Sequence, residues 1–312
     1  MRPGSAARIL VMRYRFIGDS VLLVPFLANL RRLEPAARID LLVAPFSGQI
    51  LAGCPYVDRL LPLAPSVGHR YDPGGATRRA KWAAYLRLAR RLAAERYDAV
   101  FVLKRSLSSA LLARATGARL RAGFATEGRR LLLTHAAPYP RPGRHEAEAF
   151  LDVLRAAGYA DVRPEPLALW STPQETEAAE RLLADHGLAA GGPGQPFAIV
   201  HAAASTPGKA WVEERFAEVC AYLWQRYGLR SVFTGSAADR PRYEGINRHL
   251  RAGRLGPAPE GVLLCGTSGL RVDVALYRHA RLFVGVDSGP MHMAVACGVP
   301  VVALFGPTDP AR

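Results

Sequence analysis

Lysine is nearly missing from this 312-residue chain: only Lys81, Lys104 and Lys209 occur, so arginine supplies almost all of the positive charge. A lysine beside a ligand loop therefore carries unusual weight here. Cysteine is scarce too. Cys54, Cys220, Cys265 and Cys297 lie far apart, with no CxxC pair and no histidine at zinc-ligand spacing, which argues against a zinc module and for buried, reduced thiols. No apolar run approaches the roughly 20 residues that a membrane-spanning helix needs. The opening MRPGSAARILVMRYRF reaches Arg13 without the longer apolar stretch and cleavage site of a secretory signal. These absences predict a water-soluble, cytoplasmic protein. The phosphate loop GxxxxGK[ST] is absent as well.

What is present is positive charge and regular alternation. Lys and Arg number 41 against 26 Asp and Glu, a formal net charge of +15. That excess favours an anionic partner: nucleic acid, a phosphorylated lipid surface or a nucleotide-linked substrate. The Ala, Gly, Pro and Arg richness also suits a GC-rich genome, so composition alone does not choose among them. The length fits two α/β domains.

Strand and helix patterns alternate throughout. RILVM at 8–12, IDLLV at 39–43, VDRLLPL at 57–63, YDAVFVLK at 97–104 and RAGF at 121–124 read as strands, with helices over 21–33, 81–96, 107–116 and 145–157. The proline-rich RPEPLALWSTP marks a domain connection, giving domains 1–165 and 166–312. The second half predicts helices over 173–186, 212–227, 243–251, 270–279 and 290–296, and strands over 197–201, 231–234, 262–265, 282–286 and 299–305. Both halves are thus doubly wound α/β units with parallel sheets, whose ligands bind beyond the carboxyl ends of the strands.

Three such loops carry unusual polar residues. In RYRFIGDS, Gly18 permits a tight turn and Asp19 stands at a helix start, where it serves either as an N-cap or as a general base. In HAAASTPGKAW, Ser205, Thr206 and Gly208 offer hydroxyl and N–H donors, and Lys209 adds a full charge, a combination suited to a diphosphate or to a solvated turn. In VGVDSGPMHMAVACGVPVVALFGPTDP, Ser288 and Gly289 open a helix whose N-terminus favours phosphate, Pro290 suits the first turn, and His292 follows Ser288 by one turn. Asp287 would repel a diphosphate, so it is expected to accept sugar hydroxyls or to pair with Lys209. Arg13, Arg15, Lys104 and Arg105, at strand ends of the first half, are expected either to meet acceptor phosphates or to be ordinary surface cations.

Asp287 to Pro310, together with the RILVMRYRFIGDS region, the YDAVFVLK to RAGF region and HAAASTPGKAW, closely resembles glycosyltransferase family 9, the ADP-heptose:lipopolysaccharide heptosyltransferases. The resemblance follows the family in order over nearly the whole chain. It implies a GT-B-like α/β fold, two Rossmann-like doubly wound domains facing a cleft, the first binding acceptor and the second a nucleotide sugar. It also implies inversion at the anomeric carbon with no metal and no cofactor beyond the donor, with ADP-heptose as that donor; the chain has no DxD pair of the metal-holding kind. By the same resemblance Asp19 is the catalytic base beside Gly18, and Lys209 a ligand of the diphosphate. Ser205, Thr206, Ser288 and Gly289 contact phosphate, Asp287 contacts the donor sugar, His292 lines the pocket, and Asp239 in FTGSAADR stands near the nucleoside. Family members continue past this point with a further helical segment, which the second domain is expected to lack. The implied partners are the nucleotide sugar and a lipid-linked or phosphorylated glycan, with peripheral contact at the inner membrane face and no nucleic acid. Two rival readings are a nucleotide-sugar epimerase of the same fold and a non-catalytic binder of anions or nucleic acid.

Overall fold

The computed structural model describes residues 6–14, 16–63, 77–139, 144–204 and 206–307. The chain divides into two compact units between Leu167 and Ala168.

In the first unit six strands form one parallel sheet: β1 (Arg8–Met12), β2 (Arg38–Val43), β3 (Arg59–Pro62), β4 (Ala99–Val102), β5 (Leu120–Phe124) and β6 (His135–Ala137), in the order β3-β2-β1-β4-β5-β6. Ile9 to Met12 and Ala99 to Val102 are fully buried. Central strands covered by helices on both faces read as unbroken apolar runs rather than alternating ones. The strand order reverses between β1 and β4, where Met12 pairs with Val102. The segments leaving these two strands, from Arg13 and from Leu103, therefore emerge side by side, and a switch point of this kind is where open α/β sheets bind ligands.

The helix predicted for 21–33 is two helices, Ile17–Val21 and Val24–Leu33. Pro25 is the physical cause: it has no N–H to give the carbonyl of Val21, and its ring crowds that carbonyl. Gly18 and Asp19 consequently lie inside the first short helix rather than in a loop before it. Phe16 precedes that helix at φ 53°, a left-handed value that is uncommon for a bulky residue, with its side chain exposed. The short helix Pro45–Gln49 and strand β6 lie outside the predicted elements. The sequence HAA of β6 has neither alternation nor β-branched residues, so it gives no strand signal.

The second unit carries β7 (Phe197–His201), β8 (Arg230–Phe233), β9 (Val262–Leu263), β10 (Leu282–Val286) and β11 (Val301–Leu304), parallel in the order β11-β10-β7-β8-β9. Here the order reverses between β7 and β10. The two strands approach closely: a Cβ at Gly285 would lie 2.8 Å from the His201 carbonyl oxygen and 2.9 Å from the Phe283 ring. The remaining predicted helices all occur, with ends displaced by three residues at most. Among the described residues, no helix is long and apolar enough to cross a membrane.

Candidate active site

Arg13 organises the switch point of the first unit. Its Nη2 lies 2.8 Å from Asp19 Oδ2 and 3.4 Å from Glu146 Oε1. Nη1 donates to the Leu103 carbonyl at 3.1 Å, and the guanidinium stands 5.0 Å over the Phe150 ring. Four groups, from two helices and the segment after β4, thus fix one buried cation. Both expectations for Arg13 fail, because a side chain 7% exposed is neither a surface cation nor open to an acceptor phosphate. Asp19 is not an N-cap either: Phe16 occupies that position and no side chain caps the helix. The Asp19 carboxylate, 25% exposed, is held through one oxygen and still reaches solvent.

The neighbouring cations rest on aromatic faces, Lys104 Nζ 4.3 Å over Tyr14 and Arg105 4.5 Å over Tyr139. Arg15 lies outside the described residues. Arg129 is fully buried, donates to the carbonyls of Phe124, Lys104 and Ser106, and so braces the segment after β4. Desolvation pulls this guanidinium down to about 10.

In the second unit the loops after β7, β10 and β11 converge. Lys209 Nζ lies 2.6 Å from Asp287 Oδ2, with the two side chains 25% and 18% exposed, which is the ion pair anticipated as one role for Asp287. A turn of 3-10 helix, Pro207–Lys209, brings Lys209 there, its N–H bonded to the Thr206 carbonyl at 3.1 Å. Gly306, after β11, packs against this turn so closely that a Cβ would sit 3.0 Å from the Gly208 carbonyl oxygen. Thr206 is exposed, and Ser205 lies outside the described residues.

Ser288 is the N-cap of helix Gly289–Ala296, yet its Oγ donates to the Val286 carbonyl at 3.1 Å instead of accepting from the helix. The first-turn N–H groups therefore have no side-chain cap, and Pro290 stands among them, where a missing N–H costs nothing. His292 is half-buried one turn further on. Asp239 is engaged in its own turn: its Oδ2 accepts from the Ser236 N–H and Oγ, both at 2.8 Å. Gly235, at φ 136°, has no room for a Cβ beside that oxygen.

Beneath these loops lies a polar layer that sequence reasoning missed. Tyr243 donates to the Thr234 carbonyl at 3.0 Å and accepts from His201 Nδ1 at 3.2 Å, while Thr234 Oγ1 and Tyr277 OH are 3.0 Å apart. Burial pushes His201 down to about 4, so the imidazole is neutral near pH 7 and the layer is uncharged. Arg13 and Glu146 were also missed as partners; 133 positions separate them, and nothing local links them. Among the described residues no group of three or more His, Cys, Asp or Glu side chains is arranged to hold a metal ion.

The family model for glycosyltransferase family 9 (heptosyltransferase) matches residues 85–312. Over 305 residues the chain is 30% identical to lipopolysaccharide heptosyltransferase 3 of Escherichia coli (strain K12), covering 95% of this chain and 81% of that protein. Among solved structures, the glycosyl transferase family 9 protein from Veillonella parvula DSM 2008 superposes with a TM-score of 0.83 at 26% identity, covering 99% of this chain and 83% of that one. Escherichia coli ADP-heptose lps heptosyltransferase II gives 0.76 at 25% identity, covering 97% and 86%. Matches of this extent, on two Rossmann-like units whose candidate site loops fall at both switch points, place the chain in glycosyltransferase family 9, as a transferase of the GT-B fold.

Proposed function

We propose that this chain transfers heptose from ADP-heptose to a lipopolysaccharide-core acceptor by one inverting displacement that needs no metal and no cofactor beyond the donor. The observation that carries the reading is the Lys209–Asp287 pair beside the uncapped N-terminus of helix Gly289–Ala296. An ammonium and a helix start with no side-chain cap suit a diphosphate that gains charge as it leaves, and the adjacent carboxylate suits sugar hydroxyls. The names of the relatives supply the sugar and the acceptor class.

In this mechanism Asp19 takes the proton of the attacking acceptor hydroxyl, whose oxygen forms the new bond to the anomeric carbon. The bond from that carbon to the diphosphate oxygen breaks, and the nucleoside diphosphate departs with the electron pair toward Lys209 and the Ser288–Gly289 backbone. Thr206 and Ser205 add phosphate contacts, His292 lines the donor pocket, and Asp287 holds sugar hydroxyls. Gly18 adjoins the base within the same short helix, and Asp239 borders the nucleoside through the turn it caps. Arg13 acts through Asp19, holding one carboxylate oxygen so that the other faces the acceptor. The acceptor is lipid-linked, which puts the enzyme in the cytoplasm at the inner face of the membrane. Family membership favours transfer over the epimerase reading.

Asp19→Ala is expected to lower transfer by about 10²–10⁴-fold with donor affinity retained. Near-normal transfer, or loss of donor binding along with it, contradicts the role of base. Lys209→Ala is expected to weaken the donor nucleotide by roughly 10- to 100-fold in calorimetric titration, in line with losing a charged hydrogen bond. Unchanged donor affinity contradicts the diphosphate role.

A further inference from the structure

We propose that helices Arg78–Ala94 and Leu107–Ala115 of the first unit form a docking face for an anionic lipid bilayer. The longer helix has 17 residues, and only Leu92 is buried. It carries Arg78, Arg79, Lys81, Arg87, Arg90 and Arg91, and no acidic residue. The shorter helix adds Arg114, again with no acid. Glu95, the acid that follows the longer helix, is turned away to Arg38 and Arg59, at 2.6 and 2.9 Å.

The two helices are fastened together by the Tyr85 hydroxyl, which donates to the Ser108 carbonyl at 2.6 Å. Each presents apolar side chains to solvent one turn apart: Trp82 (54% exposed) and Leu86 (49%) on the first, Leu107 and Leu111 (both 44%) on the second. Arg79 and Arg90 lie along the Trp82–Leu86 stripe.

The inner edge of the longer helix, Tyr85, Leu88, Ala89 and Leu92, packs on the core, while Trp82, Leu86, Leu107 and Leu111 stay exposed among the cations. This combination of tryptophan, leucine and unmixed positive charge fits the boundary between headgroups and acyl chains of an anionic bilayer. Charge complementarity selects that occupant: seven cations and no acid on the two helices match a surface of uniform negative charge. The role of the face in holding the enzyme where a lipid-linked acceptor is presented rests on the proposed function; the binding itself does not.

The test is co-sedimentation with vesicles of phosphatidylethanolamine containing about a quarter phosphatidylglycerol, against pure phosphatidylcholine, at about 0.15 M salt and with no donor present. The intact chain is expected to bind only the anionic vesicles, and more weakly as salt rises. Arg87→Glu/Arg90→Glu is expected to lower partitioning about 25-fold or more, fivefold per charge removed. Trp82→Ser/Leu86→Ser is expected to weaken it at every salt concentration, with the thermal midpoint of both variants near that of the parent. Equal binding to both vesicle types, or variants that partition like the parent, overturns the proposal. Transfer to a short-chain soluble acceptor should stay within about twofold in both variants while transfer to a vesicle-borne acceptor falls with binding. A matching fall on the soluble acceptor also overturns it, since the face would then touch the glycan. If the chain binds anionic vesicles but transfers no heptose, the reading of function fails and the docking face stands.

Discussion

Arg13 is the residue whose removal separates positioning from chemistry. Its buried guanidinium spans Asp19, Glu146, the Leu103 carbonyl and the Phe150 ring, so a neutral replacement frees Asp19, the proposed base, to move. Arg13→Met is expected to lower kcat by about 10- to 100-fold while KM for the donor stays unchanged, because a small misplacement of a reacting group is costly. Arg13→Lys keeps a charge against Asp19 without the fork that reaches Leu103, and should recover part of kcat. A variant pair with equal kcat, or a loss confined to KM, contradicts the positioning role.

Two other buried groups give the molecule a stability profile with opposed slopes. Burial holds His201 at about 4, below its ordinary 6.5, so the unfolded chain takes up the proton first and stability falls as pH drops through that interval, by about 3 kcal/mol in all. Burial raises Asp273 to about 6 from 3.8, with a Ser268 hydroxyl bond opposing, so here the folded chain binds the proton first and stability rises as pH drops through 6. Denaturant titrations between pH 6.5 and 4 should therefore show a steeper loss for Asp273→Asn than for the parent, and a shallower one for His201→Gln. Three parallel curves contradict both assignments.

At the scale of elements, the approach of β10 to β7 sets the spacing of the two candidate site loops that follow them in the second unit. Gly285→Ala forces a methyl against the His201 carbonyl and the Phe283 ring, and is expected to cost about 1–3 kcal/mol in a denaturant titration. A neutral substitution contradicts the close approach. The strands were legible in sequence wherever helices cover both faces, since ILVM of β1 and LFVGV of β10 are continuous apolar runs. Their turns were less so. Pro25 stands inside a good helical pattern, and its consequence, that Asp19 enters a separate short helix, follows from steric exclusion at one carbonyl rather than from periodicity.

The candidate site was legible to the extent that topology made it so. Lys209 and Asp287 are 78 positions apart, yet each follows a strand at the same switch point, and a loop at that place in an α/β sheet already carries meaning. The Arg13–Glu146 contact and the His201–Tyr243–Thr234 layer depend on side-chain directions inside the packed unit, which no residue pattern encodes. Positive charge, ambiguous as a total of +15, acquires a place in the structure. Part of it is buried as Arg13 and Arg129, and part is gathered without acids on helices Arg78–Ala94 and Leu107–Ala115.

For the whole molecule, the central claim is that the second unit takes an ADP-linked sugar at Lys209, Asp287 and the Ser288 helix start. The most direct measurement is a thermal-shift titration with ADP-heptose, ADP and UDP-N-acetylglucosamine, in the absence of acceptor. A donor at about 100 times its Kd stabilises by roughly 2.7 kcal/mol, enough to raise the unfolding midpoint by several degrees. The largest rise is expected with ADP-heptose and a smaller one with ADP, both reduced to about half or less in Lys209→Ala at the same ligand concentration. No rise with either ADP-linked ligand, or a larger one with UDP-N-acetylglucosamine, would contradict it.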